Sequence, residues 1–106
     1  MLHDPQYVEA ARKLGERMMM EADSTERLKF GFELCLARTP QHQELKSLQQ
    51  AYDTRLSYFK ANPEEAEKLL GIGASPITTT IDQAELAAYT TVARILMNLS
   101  EFITKG

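Results

Sequence analysis

Three prolines, in Asp4-Pro5, Thr39-Pro40 and Asn62-Pro63, stand between a side chain that can accept hydrogen bonds from free backbone amides and a segment with helical apolar spacing. Proline has no amide proton and a fixed φ, so it breaks a helix interior but costs nothing in the first helical turn. An acceptor just before it caps the amides that this turn leaves unpaired. Each pair therefore predicts a helix start, and together they divide the chain.

Hydropathy fills the divisions with helices. Tyr7, Ala11, Leu14 and Met18 share one helical face, and that helix is expected to end near Glu21 or Ala22. Gly15 allows another helix to approach closely. Asp23 or Ser24, with Glu26 in the capping-box position, predicts a second start. The segment that follows, LKFGFELCLA, is apolar on two sides: Leu28, Phe32 and Cys35 on one, Phe30, Leu34 and Ala37 on the other. Such a helix is expected at the centre of a bundle.

After Thr39-Pro40 comes the clearest amphipathic stripe, Leu45, Leu48, Tyr52, Leu56 and Phe59, over a polar back. Asn62-Pro63 opens a short fourth helix with Glu65 in its first turn, Leu69 and Leu70 inward, and Gly71 as a left-handed stop. The run GIGASPITTTI that begins at Gly71 reads as a loop of about ten residues, longer than most connections in compact domains. Asp82, with Glu85 three residues on, caps a last helix whose apolar face is Leu86, Tyr89, Val92, Ala93, Leu96, Leu99 and Ile103. The expected fold is all-α: a compact bundle of four main helices plus one short helix, with a long loop before the last helix. It forms a single helical domain over residues 1–106.

Composition narrows the function classes. Lys plus Arg number 12 against 15 Asp plus Glu, a net charge of −3, which lacks the basic footprint of a nucleic-acid binder. No apolar run approaches the roughly 20 residues that span a bilayer, so no membrane insertion is expected. The start MLHDPQY carries no visible export signal. The single cysteine, Cys35, excludes an intrachain disulfide and a Cys-rich zinc site.

The residues able to do chemistry do not converge in the sequence. His3, His42 and Cys35 share no metal-ligand spacing and read as two surface histidines and a small buried hydrophobe. Covalent haem attachment needs Cys-x-x-Cys-His, which is absent. Gly71-Ile72-Gly73-Ala74-Ser75 lacks the lysine of a phosphate cradle. A Cys35–His42 nucleophilic pair is opposed by Leu34 and Leu36, which disfavour a thiolate. Glu64, Glu65 and Glu67 sit where a helix dipole favours carboxylates. No catalytic, cofactor-binding or metal residue is assigned. Three consecutive methionines, Met18, Met19 and Met20, cannot all face one core, and Tyr58 beside Phe59 raises the same conflict. With Tyr7, these form the candidate docking surface: Tyr7, Met18, Met19, Met20 and Tyr58.

The two ends of the chain, LHDPQYVEAARKLGERM and SPITTTIDQAELAAYTTVARILMNLSEFITK, carry a family resemblance. ERLKFGFELCLARTPQHQELKSL and NPEEAEKLLGIGASP carry it between them. Together they resemble the C-terminal domain of unknown function (number fifteen-fifty-three) of planctomycete-type cytochrome-c-associated proteins. Tyr89 and Ser100 depart mildly from it, since the family often has Trp and Asp there. The resemblance implies the C-terminal segment of a much larger exported protein, periplasmic or in the cell envelope. Haem, where present, would belong to an upstream domain, with no cofactor in this segment. It implies no catalytic residue. The expected role is structural or docking, with upstream domains of the same polypeptide or another protein as partner. Two alternatives stand beside it: an accessory wall of a hydrolytic or redox active site formed with upstream domains, and a stand-alone helical adaptor.

Overall fold

The computed structural model describes the backbone of residues 5–71 and 82–105 and the side chains of residues 7–71 and 82–100. It is all-α, with five helices and, among the described residues, no strand. They are α1 (Pro5–Glu21), α2 (Arg27–Leu36), α3 (His42–Ala61), α4 (Pro63–Leu70) and α5 (Gln83–Lys105). The segment 72–81, the cap at Asp4, His3 and the Ile103 side chain lie outside the described residues.

The bundle is organised around α5. Its 23 residues make a rod of roughly 35 Å, long enough for four partners. Every residue from Leu86 to Thr90 is buried, as are Val92, Ala93 and Leu96. The alanines Ala87, Ala88 and Ala93 keep the rod thin where neighbours press on it. Helix α1 lies antiparallel to α5: the Tyr7 hydroxyl reaches Arg94 and Asn98, while Gly15 faces Tyr89 and Thr90. A Cβ on Gly15 would stand 3.1 Å from the Thr90 nitrogen and 3.2 Å from its Oγ1, so only glycine permits this approach without displacement. Helix α3 is also antiparallel to α5, with the Tyr52 and Tyr89 rings 4.3 Å apart.

The expectation that the second helix is central is therefore corrected. Helix α2 buries Leu28, Gly31 and Phe32, but leaves Phe30, Cys35 and Leu36 half-buried and Leu34 45% exposed. Ten residues of bulky side chains can pack along one side only; the longer helix with small residues takes the axis.

Two apolar clusters share α5. One joins Met18, Leu28, Phe32, Leu48, Tyr89, Val92 and Leu96. The other joins Phe59, Ala66, Leu70 and Leu86 to Ala88. Met19 and Tyr52 touch both and form the seam. Burial raises the Tyr52 hydroxyl well above its usual pKa of 10.0, and the adjacent Tyr89 adds to the shift.

Helix boundaries follow the expected logic at some ends and not at others. Asn62-Pro63 separates α3 from α4 with Pro63 at the first position, but the Asn62 side chain does not cap α4: its Nδ2 donates to the Tyr58 carbonyl at the end of α3, at 2.9 Å. The Asp82 carboxylate accepts the Glu85 amide at 3.0 Å and starts α5. Asp23, however, does not cap α2. Its carbonyl accepts the Glu26 amide at 2.8 Å in a separate turn, and α2 begins after Glu26 without a side-chain cap. Pro40 is buried ahead of α3, whose N-cap is Gln41; the Glu44 carboxylate accepts the Gln41 amide at 2.8 Å. Gly71 ends α4 at φ −81°, not in the left-handed region. The left-handed residue is Ala37 (φ 56°), which turns the chain from α2 towards α3.

Helix α1 buries Val8, Ala11, Arg12, Gly15 and Met18, a stripe rotated from the expected one so that Tyr7 and Leu14 become its half-buried edge. Arg12 is 1% exposed and its Nη1 donates to Glu16 at 3.3 Å. A charged residue in that stripe was invisible to a hydropathy reading.

Candidate functional site

Of the five residues expected at a docking surface, the fold sends each to a different setting. Met18 is fully buried in the first cluster, with its thioether against Gly31: a Cβ there would stand 2.7 Å from Sδ. It is a packing residue and is not accessible to a partner. Met19 is half-buried at the seam between the clusters, and Met20 points outward, 69% exposed. Tyr7 is half-buried. Its hydroxyl lies 3.1 Å from the Arg94 carbonyl oxygen and 3.2 Å from Asn98 Oδ1, so one proton is shared between two acceptors. Tyr58 is 41% exposed, edge-on to Phe59 at 5.3 Å and beneath the Arg55 guanidinium at 5.7 Å.

These residues do not make one patch. Tyr7 and Met20 are thirteen positions apart on α1, about 20 Å along its axis. Tyr58 sits on a separate helix. Sequence reasoning did not single out Leu34 and Leu99 as surface residues, though they are 45% and 43% exposed. Both lie in apolar runs, and only the tertiary partners decide which side of such a run is covered.

Three clefts surround α2 and α3. The first, about 360 Å³ and lined by Glu21, Asp23, Glu26, Lys29 and Glu33 among others, is acidic and lies between α1 and α2. The second, also about 360 Å³, is an apolar groove of Phe32, Leu48, Ala51, Ile95 and Leu99 with Glu44 and Ser47 at its rim. The third, about 500 Å³, lies between α2 and α3, with Leu28 and Leu45 as apolar lining and Lys29, His42 and Lys46 as basic groups.

Arg38 braces the α2–α3 junction. Its guanidinium stacks 4.9 Å above the Phe32 ring and donates to both Glu44 oxygens, at 3.0 and 2.8 Å. Those bonds, with the Gln41 amide, hold the Glu44 carboxyl down to about 2 from its usual 4.5. Cys35 is half-buried, and loss of hydration raises its thiol pKa, which opposes thiolate chemistry. Among the described residues, no three of His, Cys, Asp and Glu converge in a way that could hold a metal ion. No described helix is long and apolar enough to cross a membrane. The GIGASPITTTI run lies, beyond Gly71, outside the described residues.

No family model, curated protein or solved structure matches the chain.

Proposed function

We propose that this chain is a non-catalytic helical domain that docks onto the remainder of a larger exported polypeptide of the cytochrome-c-associated type, and carries no cofactor of its own. The supporting observation is the exposure of large apolar side chains, led by Met20 at 69%. Met20 belongs to neither apolar cluster, so the fold leaves its side chain free to meet a partner. Met20 follows the buried Met18 and the half-buried Met19, so the helix end both closes the core and offers an apolar side chain outward.

An antibody against this chain, used on fractionated source cells, tests the reading. A band several times larger than the chain and outside the cytoplasm is expected. A cytoplasmic band of the chain's own size overturns the docking domain in favour of a stand-alone adaptor. On the larger polypeptide, Met20→Asp is expected to loosen the contact, read as faster proteolytic release of this domain. Unchanged release would remove Met20 from the contact.

A further inference from the structure

We infer that the cleft between α2 and α3 is a docking site for an acidic peptide segment carrying an aliphatic side chain. The inference stands apart from the docking reading above, since it uses a different face and none of the same residues.

The cleft combines an apolar lining with several basic groups, a pairing that neither of the other two shows. Leu28 and Leu45 give it an apolar lining, while Lys29, His42 and Lys46 surround it with nitrogen donors and acceptors. Its volume of about 500 Å³ accommodates a few side chains of an extended segment. Among the lining residues Glu26 is the only carboxylate, set against two ammonium groups.

The charge is uncommitted. Arg12, Arg17, Arg38 and Lys68 form ion pairs with Glu16, Glu21, Glu44 and Glu65. Lys29 and Lys46 form none among the described residues. In a chain of net charge −3, this cleft sets Lys29 and Lys46 against Glu26, a local excess of one positive charge; Lys29 also lines the acidic cleft, so Lys46 supplies most of that excess. The long-range field repels an acidic partner, so the attraction acts at short range, within a Debye length of about 8–10 Å at ordinary salt. Carboxylates of the segment would meet Lys29 and Lys46, and its aliphatic side chain would cover Leu45, which the fold leaves half-buried. The adjoining acidic cleft, with Glu21, Asp23 and Glu33, repels the same segment and so fixes which side of α2 it occupies.

The test is fluorescence anisotropy with a labelled, end-blocked peptide, Asp-Leu-Glu-Leu-Asp, titrated with the whole chain at about 0.15 M salt, where the long-range repulsion is screened. Saturable binding that weakens towards about 1 M salt, where the Debye length falls to about 3 Å, is expected. The double variant Lys29→Glu, Lys46→Glu, first shown to keep its helical circular dichroism, should lose on the order of tenfold in affinity. The milder Lys29→Gln, Lys46→Gln pair should lose less in the same direction. Lys13→Glu with Lys60→Glu changes net charge equally on other faces and should leave the affinity within about twofold. Three results would overturn the proposal: no saturable binding, an equal loss in the Lys13, Lys60 variant, or equal affinity for Asn-Leu-Gln-Leu-Asn. Binding of a short oligothymidylate as tight as the peptide would also overturn it, because the cleft would then read charge alone.

Discussion

Helices α2 and α5 are both rich in apolar residues, yet one lies at the surface and the other is the axis of the molecule. In α5 the residues from Leu86 to Thr90 are all buried, and alanines let α1 and α3 press close. In α2 a similar density of apolar residues is carried by phenylalanines and leucines on a ten-residue helix, and Leu34 is left 45% exposed. Apolar content says that a helix seeks contact. Length and side-chain size decide how many contacts it can accept. The difference also bears on function, because α2 forms a wall of all three clefts around it while α5 reaches only the apolar one.

The comparison breaks most visibly under truncation of one leucine in each helix. Leu96 is fully buried in α5, so Leu96→Ala should cost about 2–5 kcal/mol in urea unfolding. Leu34→Ala should cost under about 1 kcal/mol, since much of that side chain already meets water. Equal losses would show that α2 is as deeply committed as α5.

Two glycines sharpen the contrast next. Gly15→Ala places a Cβ against the backbone of α5 at Thr90 and Tyr89, and backbone must move: a loss of about 1–3 kcal/mol is expected. Gly31→Ala in α2 meets the Met18 thioether, a flexible end that can turn aside. Alanine also favours the helix by about 1 kcal/mol over glycine, so the net change at Gly31 should be near zero. Paired thermal melts of the two variants decide this.

A smaller effect, of opposite sign, is expected at Thr90. Its Oγ1 is buried with no hydrogen-bond partner. Thr90→Val keeps the shape, removes that unpaired hydroxyl and should stabilise by about 1 kcal/mol. Destabilisation would reveal a hydrogen bond that the hydroxyl makes in solution.

The smallest effect is electrostatic and belongs to the α2–α3 junction. The Glu44 carboxyl is held down to about 2, so its contribution is fully present above pH 4.5 and is lost as pH falls towards about 2. The pair with Arg38 is exposed to solvent, and such pairs contribute little. Glu44→Gln mimics the protonated carboxyl, so it should leave stability near pH 2 unchanged and lower it slightly at neutral pH, which flattens the acid limb of the profile. A change at pH 7 larger than that at Gly15 would reverse the order of effects.

Local signals were legible and tertiary ones were not. The α3 stripe from Leu45 to Phe59 and the Asn62-Pro63 break can be read because both depend on spacing and backbone chemistry within one segment. The Asp82 cap is of the same kind. Asp23 and Pro40 misled by a few residues, since a turn and a buried proline use the same residue types as a helix start. The centrality of α5, the burial of Met18 under Gly31 and of Arg12 beside Glu16 depend on which helix lies opposite. The basic cleft joins Lys29 to His42 and Lys46 across two helices, and no sequence spacing marks such a meeting.

Native-state hydrogen exchange, resolved by residue, tests most directly the claim that α5 is the axis and α2 an outer wall. Amides from Leu86 to Leu96 should exchange only through global unfolding, with the full denaturant dependence. Those from Phe30 to Leu36 should exchange faster, through local openings that depend weakly on denaturant. Equal protection in the two helices, or greater protection in α2, would contradict the account.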